Sequence, residues 1–249
     1  MCVLRVLALL LALALAACAS NGDPSHPIPA RHVPAAQPAT RLVVVLPGRG
    51  DDVAALQRAR IAEAIQRAWP DADVVLTGLS LPYYLEGRAA ARLRAEVLQP
   101  LRSRGYRETW LLGASMGGMG AIMYERHFPG EVDGLVLLAP YLGDEAVQRE
   151  IAATGGVRNW RPGPRPPRID RDNFSRELWR QVHEWAHAPG GTPHVWLAYG
   201  RRDRLREGIE LLKPALPAAQ VFERDGGHSW RVWAPASTAV LQAIEAGRR

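Results

Sequence analysis

The chain has 249 residues, 47% of them hydrophobic and 22% charged, which is room for one substantial globular domain with a tail and not for two large ones. Its apolar residues fall in several short runs and one long one, which excludes a polytopic membrane protein. The formal net charge is +6, but the arginines behind it are interspersed with Asp and Glu, and no zinc-finger spacing, single-strand-binding signature or basic block is present, so nucleic acid is not an expected partner.

The first segment reads as an address. Arg5 precedes the apolar run from Val6 to Leu15, too short to span a bilayer and of the length of a secretory signal core. It ends Leu15-Ala16-Ala17-Cys18, which resembles the bacterial lipobox. That resemblance implies a signal peptide over 1–17, cleavage before Cys18, and acylation of Cys18 on its thiol and on the new amine, making a lipid-anchored protein of the bacterial cell envelope. Ala19, rather than Asp, follows the cysteine, which favours the outer membrane with the protein facing the periplasm. The alternative is ordinary signal cleavage near Ala17 or Ala19 with a free thiol. Residues 18–40 carry Pro24, Pro27, Pro29, Pro34 and Pro38 with almost no large apolar residue, so they are expected to form an extended tether holding the domain off the membrane. With Cys2 in the signal and Cys18 at the anchor, the folded part has no cysteine for a disulfide or a thiolate metal site.

From Arg41 onward, apolar β-branched runs alternate with helical patterns. Strands are expected at 42–46, 73–77, 109–112, 135–139, 195–199 and 220–223. The first, Leu42-Val-Val-Val-Leu46, is apolar throughout, as a strand buried on both faces should be. Asp51 or Asp52 can cap a helix running to Trp69; further helices are expected over about 87–104, 116–127, 203–212 and 231–246. Such alternation implies a parallel sheet with helices on both faces. The stretch from about 143 to 191 breaks the rhythm. It holds an Arg/Pro-rich loop at 161–168 and a helical pattern with Leu178, Trp179, Val182 and Trp185, and is expected to be a folded cap insertion.

Gly113-Ala114-Ser115-Met116-Gly117 is a G-x-S-x-G pattern directly after an apolar strand and directly before a helix. The glycines leave room for a turn so sharp that the serine hydroxyl is lifted to the helix N-terminus, where free N–H groups favour developing negative charge. A serine nucleophile needs a base. His26 and His32 lie in the tether, His127 ends the helix behind the turn, His183 and His187 lie in the insertion without a third metal ligand, and His194 opens a strand. His228 remains, in Asp225-Gly-Gly-His-Ser-Trp230, on a flexible loop over the carboxyl ends of the strands. For the acid, the strand 195–199 runs through Gly200 to Asp203, placed to accept the Nδ1–H of His228 or to cap the next helix.

The order Ser115, Asp203, His228 on alternating strands and helices resembles the α/β-hydrolase family of serine esterases and lipases, over residues 41–249. The resemblance implies a mainly parallel sheet of about six strands, in spatial order 2-1-3-4-5-6, lacking the family's first two antiparallel strands because the tether occupies their place. It also implies an oxyanion hole from the backbone N–H groups of Arg49, in Pro47-Gly48-Arg49-Gly50, and of Met116, and it offers Asp144 as a second candidate acid. The function expected is hydrolysis of a small-molecule ester or acyl substrate through an acyl-enzyme, with no cofactor or metal. A thioesterase or acyltransferase on the same triad, or a non-catalytic binding lipoprotein on the same scaffold, are the rival readings. Tyr83, Tyr84, Tyr141, Trp160 and Trp230 are candidate pocket walls or packing residues.

Overall fold

The computed structural model describes residues 22–192 and 194–248; the segment 1–17 expected to be a signal peptide, and Cys18, lie outside the described residues. Strands β1 (Ala30–Val33), β2 (Arg41–Leu46), β3 (Ala72–Thr77), β4 (Glu108–Ala114), β5 (Gly134–Leu138), β6 (Val195–Gly200) and β7 (Val221–Arg224) form one sheet in the order β1-β3-β2-β4-β5-β6-β7. The helices are α1 (Val53–Arg58), α2 (Ile61–Ala68), α3 (Leu81–Leu85), α4 (89–102), α5 (Met116–His127), α6 (Glu145–Ala153), α7 (Phe174–Ala186), α8 (Arg206–Leu212) and α9 (Trp230–Ala246). Strands β2 to β7 are parallel and follow the expected spatial order. The central strands are apolar because both of their faces meet helices, and Val43, Val44, Leu111, Leu112, Val136 and Leu137 are buried.

The seventh strand corrects the reading of the Pro-rich segment. Ala30–Val33 contains no proline and pairs antiparallel with β3, Ala30 opposite Thr77 and Val33 opposite Val74. An edge strand uses its donors on one side only, so prolines just before and after it do no harm. Ile28 is buried, and the surrounding backbone is bonded to the domain at many points. Ile28 N–H donates to Glu96 (2.7 Å), Arg92 donates to the carbonyls of Pro24 and His26, and Ala35 N–H donates to Asp73 (2.8 Å). Asp73 also takes His32 and the Tyr106 hydroxyl; burial works against its charge, but these bonds prevail and hold its carboxyl below the usual range. Residues 22–40 are therefore part of the domain rather than a free tether.

Two helix expectations shift. The pattern from Asp52 to Trp69 is two helices, because Arg60 adopts φ 55°; Asp52 caps α1 by accepting Ala55 N–H at 2.7 Å. Helix α4 is π-wound over Leu93–Leu98, a widening that ends where Pro100, lacking an N–H, enters the helix. Among the described residues no helix is long and apolar enough to cross a membrane.

The insertion is folded, and its helices pack against helices of the core. Helix α7 lies against α5, and α6 against α8. A buried ion network locks it. Arg126 of α5 donates to Glu177 (2.8 Å), Glu177 accepts from Arg180 (2.9 Å), and Arg180 donates to the carbonyls of Gly163 and Pro164 (both 2.9 Å), which pins the Arg/Pro-rich loop. Buried charges are tolerated here because each is multiply bonded.

Candidate active site

Strand β4 ends at Ala114 and the chain reverses into α5 through Ser115, whose φ of 52° and ψ of −113° are strained for a residue with a side chain. The glycines permit this. A Cβ on Gly113 would overlap the backbone of Gly117, and a Cβ on Gly117 would overlap the carbonyls of Leu46 and Pro47. The turn is held from both sides: Ser115 N–H donates to Leu138 O, and Tyr141 N–H donates to Ser115 O, each at 2.8 Å. The serine itself is only 5% exposed.

The other two groups arrive on neighbouring loops. After β6 and β7 the chain is zipped together, Arg201 N–H to Arg224 O (2.7 Å) and Arg202 N–H to Gly226 O (2.8 Å), and Gly226 takes φ 120° to make the approach. This brings the His228 imidazole to Asp203, with Nδ1 at 2.8 Å from Oδ1 and 3.0 Å from Oδ2. The Asp203 side chain is wholly buried, and Oδ1 also accepts Leu205 N–H at 2.9 Å. On the far side of the ring, Nε2 lies 2.9 Å from Ser115 Oγ. A carboxylate can only accept, so Nδ1 carries the ring proton and the Nε2 lone pair faces the serine hydroxyl. The arrangement can therefore draw a proton from Ser115 and stabilise the imidazolium that results.

The Pro47–Gly50 loop, with Arg49 in it, runs alongside the serine; a Cβ built on Gly48 would stand 3.7 Å from Ser115 Cβ. Met116 is the first residue of α5, and the first N–H groups of a helix have no intrahelical acceptor. Asp144 instead begins α6, where it accepts the Ser175 hydroxyl (2.9 Å) while its own N–H donates to that oxygen (3.0 Å). The imidazole's carboxylate partner is Asp203.

The aromatic candidates divide. Tyr83 is buried with its hydroxyl donating to Asp23 O (3.1 Å), and Trp160 is buried with Nε1 donating to Glu150 (2.8 Å); both are packing residues. Tyr84 lies against Gly120 of α5, and burial pushes its phenol well above the usual range. Tyr141 and Trp230 are at the site. Trp230 Nε1 donates to Asp51 Oδ2 at 2.8 Å and so joins the Pro47–Gly50 side to the histidine loop. It meets Trp233 edge-on, and Trp233 meets the His228 ring edge-on with centroids 4.6 Å apart. Sequence reasoning missed Trp233 and the Asp51 contact. The spacing of Trp230 and Trp233, three apart on one helix, was the available signal.

No protein-family model matches the chain, and no curated protein matches it in sequence. Solved structures do match. Est1E from Butyrivibrio proteoclasticus superposes with a TM-score of 0.61 over 89% of this chain and 94% of its own, at 12% identity. The chain has the α/β-hydrolase fold. FphF, a fluorophosphonate-binding serine hydrolase of Staphylococcus aureus, matches at 0.58 over 88% of this chain and 99% of its own, with 12% identity. A monoacylglycerol lipase of Paleococcus ferrophilus matches at 0.56 over 88% and 100%, with 16% identity. In α/β-hydrolase terms, the extra antiparallel strand β1 stands at the edge that sequence reasoning left empty.

Proposed function

We propose that this chain is a serine hydrolase of carboxylic esters, anchored to a bacterial envelope membrane through Cys18, on the periplasmic face and in the outer membrane by preference. The observation that carries the enzymatic reading is the continuous bond path from buried Asp203 through His228 to Ser115 Oγ, at 2.8 and 2.9 Å. The naming of structural neighbours as a ferulic acid esterase, a serine hydrolase and a monoacylglycerol lipase supports the same choice of substrate class.

In this reading Ser115 Oγ attacks the ester carbonyl as His228 takes its proton. The tetrahedral oxyanion is held by the backbone N–H groups of Met116 and Arg49, a contribution of ~3 kcal/mol per donor. The imidazolium returns the proton to the departing alkoxide, leaving an acyl-serine and a free alcohol. Water, deprotonated by His228, then attacks the acyl-serine, and the acid leaves as Ser115 regains its proton. Ser115→Ala is expected to abolish turnover of a chromogenic short-chain ester with circular dichroism unchanged. Undiminished turnover would refute the assignment. Fluorophosphonate labelling of Ser115 separates this reading from a non-catalytic binding module, because an unactivated serine reacts poorly.

A further inference from the structure

The path of the N-terminal segment over the domain bears on what the site meets. Strand β1 runs antiparallel to β3, with Ala30 opposite Thr77, the last residue of β3. The beginning of β1 is therefore at the carboxyl rim of the parallel strands, the rim that carries Ser115 and His228. Between β1 and β4 lie three strand spacings, about 14 Å. Upstream of β1 the chain stays on this rim. Gly22 packs against Ser80, which precedes α3, the Tyr83 hydroxyl donates to Asp23 O (3.1 Å), and Arg92 at the start of α4 donates to His26 O (2.6 Å). Helix α3 in turn reaches α5 of the site through Tyr84 and Gly120.

Only Ala19, Ser20 and Asn21 separate Cys18 from Gly22. Fully extended, the path from Cys18 to Gly22 spans at most about 14 Å. We infer that acyl chains on Cys18 hold the carboxyl rim of the sheet against the bilayer surface, so that the Ser115 site takes its esters from the membrane: long-chain acyl esters lodged in the lipid rather than freely dissolved ones. The inference rests on the anchoring and hydrolase readings above. Leu85 of α3 fits it: at 64% exposure it is the exposed large apolar residue among those described, it ends the helix whose Tyr83 holds Asp23, and it is followed in the chain by Glu86 and its exposed partner Arg88. An apolar tip flanked by a long cationic side chain suits the zone between headgroups and acyl chains.

The test uses the full chain purified from membranes and reconstituted on phosphatidylethanolamine/phosphatidylglycerol vesicles, with the mass of its N-terminal peptide recorded. A polarity-sensitive dye is placed at Leu85→Cys and, as the opposite-rim control, at Ser103→Cys, which is exposed in the turn between α4 and β4. The Leu85 dye is expected to report a lipid environment and the Ser103 dye water. In a second variant twenty Gly/Ser residues are inserted after Ser20. Because effective concentration falls roughly as the −3/2 power of linker length, turnover of a diacylglycerol in the vesicles should fall roughly tenfold or more, while turnover of p-nitrophenyl acetate in solution is unchanged. If Cys18 carries no acyl chains, the anchoring reading fails and the inference with it. If the acyl chains are present but both dyes report water, or the insertion leaves diacylglycerol turnover intact, the orientation is refuted while anchoring and hydrolysis stand.

Discussion

Replacing Asp203 by Asn tests the chemistry at its most buried point. The substitution changes one atom, in a side chain with no solvent exposure, so solvent cannot substitute for the lost charge. Oδ1 accepts two N–H groups, from His228 and from Leu205, and Oδ2 lies 3.0 Å from His228 Nδ1. If the amide oxygen occupies the Oδ1 position, the amide nitrogen must face the ring N–H from the Oδ2 position. If the amide is turned over, Leu205 N–H loses its acceptor and the ring is driven to the tautomer with its proton on Nε2, unable to accept from Ser115. Either way the imidazolium formed during attack has no counter-charge. Unit charges about 4 Å apart at an effective dielectric constant near 20 attract by about 4 kcal/mol, close to a thousandfold in rate. Tautomer disorder adds to that, so kcat for a soluble chromogenic ester should fall by about 10³ to 10⁴, with KM little changed. The assay is steady-state hydrolysis alongside near-ultraviolet circular dichroism. A folded Asp203→Asn protein within tenfold of the parent kcat would refute the role given to this carboxylate.

Two further outcomes concern stability. Gly117→Ala forces a methyl group into the carbonyls of Leu46 and Pro47, which are backbone atoms that cannot swing aside; a loss of about 3 kcal/mol or more is expected, lowering Tm by roughly 6–12 °C in a scanning melt. An unchanged melting temperature would show that the elbow is looser than the structure requires. Glu125 is buried on α5, 3.8 Å from His194, and burial pushes its carboxyl above the usual range while pushing the His194 imidazole below it. A raised carboxyl pKa gives stability that is fully present below the unfolded value near 4.3 and is lost as pH rises through the folded value. Glu125→Gln should therefore raise the urea midpoint at pH 8 more than at pH 4; equal midpoint shifts at both pH values would count against a carboxylate whose burial outweighs the hydrogen bond it takes from the Gly130 backbone.

Much of this molecule is written in short stretches of chain. The runs at 42–46 and 135–138 are strands because they are apolar at every position, which only a strand covered on both faces can use. Gly113 and Gly117 mark the turn at Ser115 because a strained reversal leaves no space for a Cβ on either side of it. Gly226 and Gly227 mark the histidine loop for a related reason: backbone must pass close to the end of β6. These are local requirements, and a reader of the chain can see them.

What depended on partners far away in sequence could not be seen there. Composition alone makes residues 22–40 a free tether; the open edge of β3, the buried Asp73 and the donors of Arg92 make them a strand and its strap. Asp144 and Asp203 both follow strand ends, and the backbone zip between the loops after β6 and β7 selects Asp203 as the partner of His228. Trp160 and Trp230 look alike in composition, yet one is enclosed by the insertion and the other bonds Asp51 beside the serine. The amino acids by themselves determined the parallel strands, the sharp turn at Ser115 and the histidine loop at His228, since each follows from its immediate neighbours. Only tertiary structure decided which edge is covered, which acid is used and which rim the N-terminal chain leaves from, because those are contests between distant groups for the same space and the same hydrogen bonds.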